Sequence, residues 1–457
     1  MIQLYFSQLH AKLMQLLFKP LLRFGINPSI QSTAMWSMLE SFSSPFFSLL
    51  LIPILTHSLG LEKYGLYVMV LAFVGLFSFT GLGMNTSITY YLAVNHQTSN
   101  AKNIAERLGT ALSVTLLGTI AFSLIFLLAF TLFEPVLQKT YPQLIAQQSL
   151  IYVALLLLIF TQCDMVISAA LKGLQQFKAS SKLEFLIRFV GFVTVVLVAT
   201  ILKNVTVIII FAVIIAFFSM MLRFKVLSKV VDIRLIDIKL DRQYAGEFFH
   251  FGKWMTLQNI SGAIFGSLDK IMLGLLFSTT VVGTYNIIIS ITQLSHYVLA
   301  SASSFILPKI SASTASIKIL RKSYYKSLVV SALVTLLMML VLTLLYPFIK
   351  GHFNLVNIKY EYFILLISYG VLAICVPPYY FALGFGKVKL LSNINTISAV
   401  VGIVAIMLLI NKYEILGAVL SRAVYTIAVT LTFFVPPLLF KNNLENSHEH
   451  IKLLKTK

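Results

Sequence analysis

The chain has 457 residues, of which 58% are hydrophobic and only 11% charged. A soluble globular domain carries about 25% charged residues, so this composition excludes one. The 35 basic residues outnumber the 15 acidic ones for a net charge of +20; where those charges fall decides between a nucleic-acid footprint and a membrane topology signal.

In chain order, residues 1–31 set Gln8, Lys12, Gln15, Lys19 and Arg23 at helical spacing opposite Leu9, Leu13, Leu16, Leu17 and Phe24. That pattern predicts a cytosolic or interfacial amphipathic segment, kinked at Pro20, with a frayed tail as the competing reading. Apolar segments follow at 32–56, 64–92, 110–133, 146–169, 184–202 and 205–222. A basic stretch, 223–247, reads as a cytosolic linker. Six more segments follow at 248–277, 281–307, 325–348, 361–383, 391–410 and 415–438, then a cytosolic tail, 439–457. A helix needs about 20 apolar residues to cross a hydrocarbon core of about 30 Å, so twelve spans are predicted. Three are interrupted in sequence: by Pro53 late in span one, Gly81-Leu82-Gly83 in span two and Pro377-Pro378 in span ten.

With the N-terminus inside, 25 of the 35 basic residues fall in inner segments and 6 in outer loops. The bias predicts an even span count with both termini cytosolic, and leaves no nucleic-acid partner to invoke. Four basic residues stay within spans: Arg188, Lys253, Lys270 and Arg422. Cys163 and Cys375 both lie in spans and give neither metal spacing nor a disulfide framework.

The halves repeat weakly. Gly65 and Tyr67 match Gly283 and Tyr285 at an offset of 218; Cys163 matches Cys375 at 212; Lys178-x-x-Ser181 matches Lys389-x-x-Ser392 at 211. Six spans per half is an even number, so the halves are parallel repeats, with a substrate cavity expected between them. The predicted fold is all-α and polytopic: about twelve transmembrane helices in two six-helix lobes around a central cavity.

Unpaired polar side chains are costly in lipid, so a polar stripe faces protein or a water-filled cavity. Span one carries Thr33, Ser37, Glu40, Ser41, Ser44 and Ser48 on one face. Span seven carries Thr256, Asn259, Ala263, Gly266 and Lys270, with Asp269 beside it. Span eight carries Asn286, Ser290, Gln293, Tyr297, Ala300 and Ser304, with His296 beside it. Spans one, two, seven and eight are therefore expected to enclose the cavity; tight packing through small residues is the competing reading. Each charge has an alternative too. Asp269 and Lys270 could form a structural ion pair with a neighbouring helix, Arg188, Lys253 and Arg422 could snorkel to an interface, His296 could be a helix contact, and Asp164 is expected to be solvated.

Enzymatic signatures are missing from the sequence. There is no phosphate-binding Gly-rich loop ending in Lys-Ser/Thr, no His-Glu-x-x-His and no Gly-x-Ser-x-Gly, and the longest outer segments, near 134–143 and 350–359, are short. The chain is expected not to be an enzyme and to need no cofactor or metal.

Residues 54–67, Ile-Leu-Thr-His-Ser-Leu-Gly-Leu-Glu-Lys-Tyr-Gly-Leu-Tyr, followed by Gly-Leu-Gly-Met-Asn at 81–85, resemble the first-to-second helix signature of polysaccharide (O-antigen) flippases. Residues 267–274, Ser-Leu-Asp-Lys-Ile-Met-Leu-Gly, followed by Val-Gly-Thr-Tyr at 282–285, resemble their seventh-to-eighth helix signature, with Lys270 where the family more often has Arg. That family belongs to the superfamily of multidrug extruders and lipid II flippases. The resemblance implies movement of an undecaprenyl-diphosphate-linked oligosaccharide from the inner to the outer leaflet of a bacterial cytoplasmic membrane. With no ATPase signature in the sequence, an ion gradient is the expected driver, and, besides membrane lipids, a glycan polymerase and a chain-length regulator are the expected partners. From the polar stripes and the charges within spans, the expected cavity residues are Ser37, Glu40, Ser44, Arg188, Asn259, Asp269, Lys270, His296 and Arg422, with Glu40 and Asp269 as ion-coupling candidates. A multidrug antiporter, a lipid II flippase and a membrane glycan polymerase are the alternatives.

Overall fold

The computed structural model describes residues 28–94, 101–140, 148–231, 240–303, 306, 317–355 and 357–440. Most of the predicted amphipathic segment, and the tail beyond 440, lie outside the described residues.

The elements in chain order are α1 (Pro28–Leu59), α2 (Leu61–Leu76), a 3-10 turn (Phe77–Gly81), α3 (Met84–Val94), α4 (Ala101–Thr140), α5 (Gln148–Gly173), α6 (Phe177–Ile201), α7 (Val205–Val231), α8 (Arg242–Leu276), α9 (Thr279–Thr292), α10 (Leu294–Ser303), α11 (Ile317–His352), α12 (Lys359–Ile374), α13 (Val376–Gly384) and α14 (Val388–Val429). Strands are missing among the described residues, as hydrocarbon demands: helices satisfy every backbone group within one segment. Side-chain hydroxyls follow the same rule, as Ser123 donating to the Thr119 carbonyl at 2.8 Å and Thr292 to that of Ile288 at 2.7 Å.

Nine helices among the described residues are long and apolar enough to cross a membrane unaided. The remaining spans have physical explanations. Span seven is α8, made too polar by its charges. Span eight is split at Gln293 into α9 and α10. Spans eleven and twelve follow each other in α14 without a loop, the chain reversing at Glu414, where φ is +50°. The result is a polytopic bundle of twelve spans in two six-helix lobes. Leu117, Leu124, Ile125, Leu128 and Leu132 of α4 stay exposed, a patch that suits lipid and not water.

Two local expectations change and one holds. Span one passes Pro45 and Pro53 without breaking. Span two does break, with left-handed backbone at Leu82 (φ +49°) and Gly83 (φ +68°). The linker is shorter than 223–247, because α7 continues to Val231 and α8 begins at Arg242, capped by Asp241, whose carboxylate accepts from the Gln243 amide at 2.7 Å. Arg223 is therefore a helical residue, not a linker residue.

The lobes meet through spans one, two, seven and eight. At the bundle end carrying Gly60 and Ser278, the repeat-related glycines face each other's helix. A Cβ on Gly65 would lie 1.6 Å from the Thr279 carbonyl oxygen, and one on Gly283 2.7 Å from that of Leu61. Only glycine allows that approach, which explains why both halves carry the motif. Asn286 beside it donates to the Tyr64 hydroxyl at 2.7 Å. Nearer the opposite end, Ser87 donates to the Phe248 carbonyl at 3.1 Å and Arg107 pairs with Glu247 at 3.7 Å.

Candidate functional site

Between the lobes lies a chamber of about 260 Å³, walled by Ser44, Ser48, Tyr67, Ser267, Lys270 and Gln293 among others. Its walls come from α1, α2, α8, α9 and α10. It adjoins two further chambers. One, of about 320 Å³ inside the first lobe, shares Ser44, Ser48 and Tyr67 with it; the other, of about 440 Å³ inside the second lobe, shares Lys270, Gln293 and Tyr297. The three form a chain of spaces across the bundle, with Lys270 at the second junction.

Inside the second lobe, Asp269 is 4% exposed and its partner is Arg422, also 4% exposed, at 2.6 Å. Every nitrogen of that guanidinium is engaged. Nε donates to Asp269 and to the Tyr285 hydroxyl at 2.8 Å, Nη1 to the Tyr369 hydroxyl at 2.7 Å, and Nη2 to the Phe265 carbonyl at 3.0 Å. The guanidinium also lies over the Phe265 ring, 4.6 Å from its centre. Tyr285 in turn donates to Asp269. Aspartate from one half of the seventh-to-eighth helix signature thus meets tyrosine from the other half, and Arg422 joins spans seven, eight, ten and twelve.

Lys270 behaves differently. Asp269 makes the ion pair with a neighbouring helix, to Arg422, and Lys270 does not pair with Asp269: successive residues on a helix point about 100° apart, and Asp269 turns to Arg422 while Lys270 turns to the chamber. Among the described residues Lys270 has no carboxylate within ion-pair distance, and only its backbone amide meets Asp269, at 2.8 Å.

The first lobe holds a second charged cluster. Glu40 accepts from Lys172 and from the Ser181 hydroxyl, both at 2.6 Å. Arg188 donates to the Glu40 carbonyl at 2.6 Å and pairs with Glu184 at 2.7 Å. Arg223, 1% exposed, bridges Glu184 at 2.5 Å and Asp164 at 2.9 Å. Three carboxylates thus meet three cations across spans one, four, five and six. Asp164, expected to be solvated, is bonded into this cluster and also accepts from Ser219 at 2.9 Å.

The expected site residues are therefore distributed. Ser44 and Lys270 line the central chamber, Arg188 the first-lobe chamber, and Lys270, His296 and Arg422 the second-lobe chamber. Asp269 lies buried behind Arg422. Ser37, 3.5 Å from Ser181, and Glu40 belong to the first-lobe cluster, and Asn259 lines none of the three chambers. The side chain of Lys253 lies outside those described. Lys172, Glu184 and Arg223 escaped sequence reasoning because a charge near a span end reads as interfacial until its partners on other helices are known. The tyrosine of the 282–285 motif was the one signal that could have foretold a partner for Asp269.

A family model described as polysaccharide biosynthesis protein matches residues 30–314. No curated protein matches the chain in sequence. Among solved structures, the MATE multidrug transporter DinF-BH, solved in complex with a ligand, is 14% identical, covering 91% of this chain and 96% of its own, with a TM-score of 0.65. An inward-facing multidrug resistance MATE family transporter of the MOP superfamily is 13% identical over 90% of this chain and 99% of its own, at 0.63. A MOP superfamily transporter from Pyrococcus furiosus, described as having a binding pocket of reverse polarity that suggests a different function, is 13% identical over 90% and 96%, at 0.53. At these identities the likeness is one of fold. The family match covers more than half of the chain: it belongs to the polysaccharide biosynthesis protein family, and it has the fold of the MOP superfamily transporters.

Proposed function

We propose that the protein is a flippase carrying an undecaprenyl-diphosphate-linked oligosaccharide from the inner to the outer leaflet of the bacterial cytoplasmic membrane, for surface polysaccharide such as O-antigen or capsule. The observation that carries this reading is the charge balance around the chambers. Asp164, Glu40 and Asp269 are all paired with bases, whereas Lys270 faces the central chamber with no carboxylate within ion-pair distance among the described residues. An uncompensated cation at such a place is stabilised when an anion arrives to share it. A diphosphate is such an anion, and it cannot cross hydrocarbon without a replacement for its hydration. A cationic drug would meet the opposite of what it needs, so the antiporter reading is the less favoured one.

Lys270 is the diphosphate contact in this reading. Arg188 and Arg422, each already engaged by a carboxylate, shape the lobes. Ser44 and Ser48 give the chamber hydroxyl walls. Coupling by protonation would act on Glu40 or Asp269, and it would have to release Lys172 or Arg422. Movement by alternating access of the two lobes follows from the parallel repeats. Both termini cytosolic is the orientation that the basic-residue bias favours, and a glycan polymerase and chain-length regulator are the proposed partners.

Deleting the protein should leave lipid-linked oligosaccharide on the cytosolic leaflet, with the repeat unit made and its polymer not displayed. Normal polymer in a cell that has no second flippase would overturn the reading. Drug sensitivity of the same deletion strain, with polymer intact, would replace it with the antiporter.

A further inference from the structure

The second-lobe chamber differs from its counterpart in the first lobe by more than its volume. In the first lobe the charged lining residues, Asp164 and Arg188, are tied to Arg223 and Glu184. In the second lobe, Gln293, His296 and Asn395 line the wall, and the amides of Gln293 and Asn395 make no hydrogen bond among the described residues. The Nδ1 atom of His296 is buried and without a partner. A buried polar atom left unpaired costs on the order of 1–3 kcal/mol, so the His296 nitrogen, with two half-buried open amides on the same wall, marks a site that water or a ligand completes.

The rest of the wall is aromatic. Tyr297 is 37% exposed although it sits inside the bundle, because its ring faces both the central and the second-lobe chambers. Tyr379, Tyr380 and Tyr425 continue the lining, and Phe265 backs Tyr425 with ring centres 3.5 Å apart. At about 440 Å³ the space is within the ~300–1,000 Å³ of small-molecule sites.

These groups select a chemistry. Amides and imidazole offer both donors and acceptors, which match a guest bearing many hydroxyls. Tyrosine rings offer flat apolar faces, which match the C–H face of a pyranose ring. A cationic aromatic guest would suit the rings but would meet Lys270, and the carboxylate of Asp269 is held by Arg422. Lys270, Gln293 and Tyr297 belong to both chambers, so an anionic group at Lys270 and a neutral sugar beyond it occupy contiguous space.

We propose that the second-lobe chamber is a carbohydrate subsite: it seats the sugar adjoining the diphosphate, with Tyr297 as stacking platform, Gln293, His296 and Asn395 as hydroxyl partners, and Lys270 at its mouth on the phosphate. The proposal rests on the flippase reading and adds the part of the substrate that each residue contacts.

Equilibrium binding to the purified full chain in nanodiscs tests it with two probes: lipid-linked oligosaccharide isolated from the cell of origin, and bare undecaprenyl diphosphate. Gln293→Ala combined with Asn395→Ala should weaken the glycan-bearing probe about tenfold and leave the bare probe within about twofold. Tyr297→Ala should do the same, and Tyr297→Phe, which keeps the ring, should bind like wild type. Lys270→Gln should weaken both probes. Should Tyr297→Ala fail to fold, as thermal unfolding would reveal, the amide pair and Tyr297→Phe decide. Equal losses for both probes, or no loss for either, would overturn the sugar subsite while wild-type binding keeps the flippase reading. Wild-type protein binding neither probe would overturn both.

Discussion

Lys270 and Arg422 are both cations inside the membrane, and the structure separates them by what stands beside each. Arg422 shares its charge with Asp269 and spends its other donors on two tyrosines and a carbonyl. Removing one partner of a buried pair strands the other charge. Asp269→Asn or Arg422→Met should therefore lower stability by about 3 kcal/mol, the low end of the range, since helices separated in lipid find other partners. Replacing both with Leu should recover most of that loss, and thermal unfolding in detergent checks the cycle. Lys270→Gln removes an unpaired charge and no ion pair, so it should not lower stability while transport is lost. Lys270→Arg keeps the charge and should retain transport. Measuring uptake at equal amounts of membrane protein distinguishes the two; full transport by the Gln variant would make this cation structural.

Helices α2 and α9 cross where neither can carry a side chain. Gly283→Leu should force them apart, because even a Cβ there meets the Leu61 carbonyl at 2.7 Å, whereas Gly246→Ala, with nothing within 4 Å, should be silent. The yield of folded protein after extraction compares them. Alternating access also requires the contact between Tyr64 and Asn286 to open. Cysteines at those two positions, with Cys163 and Cys375 replaced first, should cross-link on oxidation, stop transport, and release it on reduction; unchanged transport in the cross-linked protein would exclude movement at that crossing. The charged clusters differ in position along the bundle. The Arg422 cluster lies toward the end carrying Gly60 and Ser278, and the Arg223 cluster toward the opposite end. Each knits four helices of its own lobe, which favours lobes that move as units.

For the whole molecule, the apolar exterior and the basic asymmetry together predict orientation. Reporter fusions at Lys139 and Lys350 should report the outer face, and fusions at Lys387 the cytosol; a cytosolic signal at Lys350 would invert the second lobe. In that orientation most of the basic residues behind the net charge of +20 would lie on the cytosolic side.

The sequence by itself determined the number and class of spans, because hydrocarbon demands long apolar helices and the demand is local to each segment. It also determined the repeat, since Gly65 and Gly283 are required by one backbone crossing. The stripe in span one was legible as polar, but not its division. Ser44 turns to the central chamber, whereas Glu40, one turn away, turns to Lys172 and Ser181. Only the tertiary structure decided that, along with the pairing of Asp269 to Arg422 across 153 residues and the burial of Arg223 in what read as a linker. The physical reason is the same each time. Whether a charge within a membrane is compensated depends on partners from other helices, and chain distance carries no information about which helix stands opposite.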